Sequence, residues 1–167
     1  MNRSVRKGKK RHFAFITAAA AGCLLMSNAL VSGQTSELKS YITGHIPVNN
    51  QNWKIFQSPA TGYVYFANSM GLVEYNGISS RVYSMPYRQG IRSVYVNKDG
   101  TVFTGSFEDF GYWEKDNETG LRYLTLTTGI TIPKNDEIWN ISEMKGVIYF
   151  QSFTTIYRYD YKTVRPV

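Results

Sequence analysis

Three phrases of one design recur along this chain. They read GYVYFAN from Gly62, GTVFTGS from Gly100 and GVIYFQS from Gly146, at spacings of 38 and 46 residues. Each leads into a second aromatic run: GLVEY, GYWEK and TIYRY. Repetition at this period restricts the fold more than any other feature. A unit of about 40 residues cannot bury both of its apolar faces alone, so copies stack on one another to exclude water. A plain β-sandwich is the competing all-β arrangement, and the repeat favours a stacked array over it.

Turn residues divide each repeat into short runs. In the first, strands are predicted at Trp53–Gln57, Tyr63–Asn68, Leu72–Tyr75 and Arg81–Ser84. Asn76-Gly77 marks a hairpin because both residue types tolerate positive φ. The second repeat has runs at Ser93–Asn97, Thr101–Thr104, Gly111–Glu114 and Arg122–Leu126. The third has Ile138–Glu143, Val147–Gln151 and Thr155–Asp160, and the chain is expected to end soon after that third strand. No stretch keeps helical spacing.

The expected fold is all-β. It consists of three four-stranded antiparallel blades of a larger β-propeller, at 51–87, 91–127 and 137–167. Blurred alternation in Tyr63-Val64-Tyr65-Phe66 suits strands covered on both faces. Propellers close with about four to eight blades, so three form an open stack with an exposed apolar face. The segment is therefore expected to be the N-terminal part of a longer propeller.

The formal charge of +7 is concentrated at one end. Six of the 19 Lys and Arg lie in residues 1–33, which hold no acid; the other 13 face 12 Asp and Glu. Without a basic cluster on the repeats, direct nucleic-acid binding by this segment is not expected. A basic start, an apolar run over Phe13–Met26 and small residues before Gln34 have the parts of a secretory signal peptide. Residues 1–33 are read as that signal, 34–50 as a lead-in and 51–167 as the partial propeller. The expected location is periplasmic or otherwise extracytoplasmic after cleavage, with an uncleaved anchor as the alternative reading of the apolar run, and membrane-tethered where the full-length chain continues. Cys23, the only cysteine, falls in the signal, so the mature part has no thiol chemistry.

No catalytic constellation is found. The two histidines, His12 and His45, precede the repeats and have no nucleophile beside them in the sequence. Glu114, Asp116 and Glu118 read as a solvated hairpin tip. Glu108 and Asp109 fall in a loop between strands and are candidates for a ligand-binding face. Arg92 is a candidate for holding a carboxylate with its planar fork, as on an acidic glycan. Trp113, with Trp53 and Trp139, is either blade core or a stacking surface for sugar C–H faces. The ligand candidates are thus Arg92, Glu108, Asp109 and Trp113, with no metal and no cofactor assigned.

A family resemblance rests on QNWKI, YFANSMGLVEYNG, IRSVYVNKDGTVFTGSFEDFGYWEKD, EIWNI and VIYFQSF. These resemble the two-component regulator propeller repeats of Bacteroidetes sensors. The most similar are those that continue into a triple-tyrosine-motif domain, a membrane helix and a LuxR-type helix-turn-helix domain. The resemblance spans nearly all of residues 44–160; Asn76 stands where the family phrase usually has Asp. It implies the extracytoplasmic, ligand-sensing start of a transmembrane transcriptional regulator that answers to a glycan-derived signal. The implied partners are an oligosaccharide, the remaining blades and output domains, and a second copy in a homodimer. A secreted propeller enzyme acting on polysaccharide and a non-signalling adhesion or scaffold propeller are the alternatives.

Overall fold

A computed structural model describes residues 49–167; the predicted signal segment and residues 34–48 of the lead-in lie outside the described residues. The described chain forms three four-stranded antiparallel sheets, each an up-and-down meander in chain order. The first contains β1 (Asn52–Gln57), β2 (Val64–Asn68), β3 (Gly71–Tyr75) and β4 (Ser80–Tyr83). The second contains β5 (Ile91–Val96), β6 (Val102–Ser106), β7 (Phe110–Asp116) and β8 (Gly120–Thr125). The third contains β9 (Ile138–Met144), β10 (Val147–Ser152), β11 (Ile156–Tyr159) and β12 (Val164–Pro166). This arrangement is consistent with propeller-like blades. The strands located from sequence in the third repeat stop at Asp160, one short of the four expected of a blade. The third repeat has a fourth strand, the three-residue β12, which pairs Val164 with Tyr159 and Arg165 with Arg158.

The same turn closes the outer hairpin of every sheet. Asn76 Oδ1 accepts from the backbone N–H of Ile78 (2.9 Å) and Ser79 (2.8 Å). Asp116 Oδ1 accepts from Glu118 (3.0 Å) and Thr119 (2.8 Å), and Asp160 Oδ1 from Lys162 (3.2 Å) and Thr163 (2.9 Å). A short polar side chain that bonds its own backbone two and three residues on substitutes for a backbone turn. This explains why Asn76 and the two aspartates are interchangeable here. These backbone donors also hold the Asp116 and Asp160 carboxyls below the usual range, Asp160 at about 2.

The middle sheet is covered on both faces. Every residue of β6 is buried, with Val102 packed toward the first sheet and Phe103 toward the third. Trp113 and Tyr112 divide β7 in the same way. One core joins Tyr65, Leu72 and Tyr83 of the first sheet to Val94, Val102 and Trp113 of the second. The other joins Phe103 and Phe110 to Ile138, Ile148, Phe150 and Tyr157. Phe110 stacks on Phe150 with centroids 4.3 Å apart. With period-two strands, dual coverage makes successive residues alternate between two cores, so both parities are apolar.

Candidate functional site

The first strands of the three sheets lie side by side, β1 against β5 and β5 against β9. Each carries an irregularity at the same point. On β1 the pairing with β2 jumps from Asn52 to Lys54, leaving Trp53 as the extra residue. On β5 it jumps from Ile91 to Ser93 around Arg92, and on β9 from Ile138 to Asn140 around Trp139. A bulge leaves its extra residue outside the ladder and re-aims its side chain. Three repeats therefore present Trp, Arg and Trp at equivalent positions.

These side chains meet. The Arg92 guanidinium carbon lies 4.3 Å from the Trp53 ring centroid and 5.9 Å from that of Trp139. The two indoles meet edge to face, 5.8 Å apart at 76°. A cation over an indole face is stabilised by the ring quadrupole, by about 0.5–2 kcal/mol depending on solvent exposure. Arg92 Nε also donates to Glu137 Oε1 at 3.2 Å. The Lys54 ammonium donates to Asn140 Oδ1 at 2.7 Å, linking the residues that follow Trp53 and Trp139. Phe153, in the loop between β10 and β11, lies 5.2 Å from Trp139 and is 72% exposed; Trp53 is 38% exposed. The platform thus offers accessible aromatic rings beside charged groups.

Hydrogen-bond donors are unevenly satisfied. Trp53 Nε1 donates to Ser69 Oγ at 3.1 Å, and that hydroxyl donates on to Gln51 Oε1. Trp139 Nε1 is buried and has no partner among the described residues.

Asp136 ties two parts of the platform together. It is 3% exposed and accepts from the backbone N–H of Glu137 (3.1 Å) and Phe153 (3.0 Å) and from Thr154 Oγ1 (2.6 Å). One carboxylate therefore ties the residue that pairs Arg92 to the loop that carries Phe153. Burial pushes this carboxyl's pKa up, but the nearby Ser152 side chain, the Thr154 hydroxyl and the two backbone donors outweigh it and hold it below the usual range. A depressed carboxyl contributes stability that is present above the unfolded value near 4 and is lost as pH falls through the folded value. Asp136→Asn is expected to cost roughly 1–3 kcal/mol at neutral pH, as for hydrogen bonds to a charged acceptor. The gap from the parent should narrow on acidification, which urea unfolding of both proteins at pH 7 and pH 3 measures. A gap of equal size at both pH values would contradict this role.

The candidates from sequence are placed differently from one another. Arg92 lies in the platform. Glu108 and Asp109 lie in the loop between β6 and β7 and are engaged in the fold. Glu108 has φ of 54°, accepts from the Asn135 backbone N–H, and donates its own N–H to the Asp136 carbonyl at 2.8 Å. Asp109 accepts from the hydroxyls of Thr125 (2.6 Å), Thr127 (3.0 Å) and Tyr123 (3.1 Å), which fastens β8 to this loop. Burial raises the Tyr123 phenol's pKa, and the Asp109 charge raises it further. Trp113 is 3% exposed in the core between the first and second sheets, and its Nε1 donates to Thr104 Oγ1 at 2.9 Å. Sequence reasoning did not single out Lys54, Glu137, Asn140 or Phe153. Aligning NWK, IRS and IWN as the first strands of the repeats is the signal that leads to them.

Among the described residues, no group of three or more His, Cys, Asp or Glu could hold a metal ion, and no helix is long and apolar enough to cross a membrane. The chain matches no known family and no curated protein.

Proposed function

We propose that this chain is the extracytoplasmic, ligand-sensing propeller segment of a transmembrane transcriptional regulator, responding to a glycan-derived signal. The observation that carries the reading is the convergence of Trp53, Arg92 and Trp139 from equivalent bulges on three neighbouring first strands. Aromatic rings beside planar hydrogen-bonding groups suit a sugar, whose C–H faces stack while its hydroxyls meet polar atoms. The propeller reading is supported by the apolar row Ile55, Phe66, Val73 and Val82. It runs in register across the face of the first sheet opposite the shared core. A face of this kind suits a further blade.

A binding role is favoured over catalysis because Glu108 and Asp109 are occupied in holding loops together. Signalling would follow from preference: a ligand shifts a two-state receptor only by binding one arrangement more tightly. The test is transcriptional. Cells carrying Trp53→Ala or Trp139→Ala on the chromosome are grown on a panel of polysaccharides and their transcripts compared with the parent. Induction on one polysaccharide is expected to fall at unchanged protein abundance. Identical induction across the panel in both variants, and in a deletion strain, would end the sensor reading.

A further inference from the structure

We infer that the oligosaccharide taken by the Trp53–Arg92–Trp139 platform carries a carboxylate, and that Lys54 is the residue that recognises it. This rests on the glycan-sensing reading above and deepens it. Arg92 has a carboxylate partner in Glu137, at 3.2 Å. Lys54 does not: its bonded partner among the described residues is the neutral Asn140 side chain, at 2.7 Å. The other carboxylate of the cluster, Asp136, is buried and bonds the Glu137 and Phe153 backbone and the Thr154 hydroxyl, so Lys54 is the cation beside the aromatic rings whose bonded partner is neutral. The Glu137 and Asn140 oxygens each accept one of these bonds, and the N–H groups of Lys54 and Arg92 still outnumber the lone pairs that those two side chains offer.

The platform thus has more donors than acceptors, and its cation Lys54 is bonded to a neutral group. A neutral sugar supplies hydroxyls that both give and accept. A uronate supplies an acceptor-only group of opposite charge, and charge-assisted hydrogen bonds are the stronger kind. Stacking on Trp53 and Phe153 requires the sugar ring itself, so a free small anion satisfies only part of the surface. Arg92 is the positioning residue in this scheme. It is held between the indoles and Glu137 and keeps the bulged side chains together.

The test is isothermal titration calorimetry on the full chain. The probes are oligogalacturonate, oligomannuronate and a glucuronate-containing hyaluronan fragment, each beside its methyl ester. Esterification removes the charge and keeps the ring faces. At least one acid is expected to bind, with its ester about tenfold weaker, the ratio of one well-placed charge pair. Lys54→Met should abolish that ratio, and Lys54→Arg should restore it. Trp139→Ala should weaken acid and ester together.

Esters that bind as tightly as the acids would overturn the carboxylate assignment and leave the sensor reading standing. So would neutral xylo- or cello-oligosaccharides binding through Trp139 where no acid binds. An acid preference that survives in Lys54→Met would overturn the role of Lys54. Absence of binding by every sugar would overturn the proposal and count against the glycan reading as well.

Discussion

Trp113→Ala is expected to destabilise the protein by about 3–5 kcal/mol, the range for truncating a large buried aromatic to alanine. The ring is 3% exposed and lies between two neighbours, 5.3 Å from Tyr123 and 6.0 Å from Tyr83. Tyr83 belongs to the first sheet and Tyr123 to the second, so the cavity would open at the seam between sheets. Two effects contribute: the lost transfer of apolar surface from water, and the void that rigid sheets cannot collapse to fill. Trp113→Phe separates packing from hydrogen bonding. It keeps most of the ring but removes the donor to Thr104, leaving a buried hydroxyl without its indole partner. It should therefore cost roughly 1–3 kcal/mol, the range for an unsatisfied buried polar group. Urea unfolding of the three proteins measures both. A loss of under about 0.5 kcal/mol for the alanine variant, typical of surface positions, would remove Trp113 from the core.

The same residue shows where sequence reading stops. The strands were legible because glycine, asparagine and aspartate punctuate the chain where the backbone has to turn. Most expected strands agree with the structure to within a residue or two. The fourth strand of the third sheet was not legible. Val164-Arg165-Pro166 has no alternation and contains a proline, which is tolerated at a sheet edge but signals nothing in sequence. Which aromatic is core and which is platform was also hidden. In a sheet covered on both faces, neither parity is polar, so Trp113 and Trp139 look alike until the sheets are stacked. Arg92 was legible as a cation in a turn-rich region. Its partners were not, because Trp53 and Glu137 come from the repeats before and after it. Only the stacking of first strands brings them together.

The two ends of each repeat serve different purposes. The outer hairpins use one chemical device three times, an Asx side chain folded onto its own backbone. The inner strands use one backbone device three times and change the residue it carries: Trp53, Arg92, Trp139. A repeat that keeps its geometry and varies the side chain at a bulge can alter what it binds without altering how it packs. The loop carrying Phe153 and the residue pairing Arg92 are tied to this geometry by Asp136, which accepts from two backbone N–H groups and a hydroxyl.

Close stacking also fixes one small residue. At Gly105 a Cβ would lie 2.5 Å from Ile138 Cγ2, 2.6 Å from Ile138 Cβ and 2.6 Å from Ser93 Oγ. Gly105 pairs with Ser93 in the second sheet, and the Ser93 hydroxyl donates to the Ile138 carbonyl at 2.7 Å. Sheets two and three are therefore stitched at the one point where the backbone of β6 has no side chain. The backbone here needs no positive φ, so any cost of adding a methyl group comes from contact alone. Gly105→Ala is expected to cost about 1–3 kcal/mol, as for overpacking a well-filled core, and Gly105→Val more. Because Ile138 immediately precedes the bulged Trp139, the displacement should also loosen the platform. Combining Gly105→Ala with Ile138→Ala removes the nearest methyl and should recover part of the loss. The double variant is then less destabilised than the two single losses added together, by roughly 0.5–3 kcal/mol of coupling. Simple additivity in urea unfolding would mean that the Ile138 Cγ2 methyl is not what opposes a side chain at this glycine.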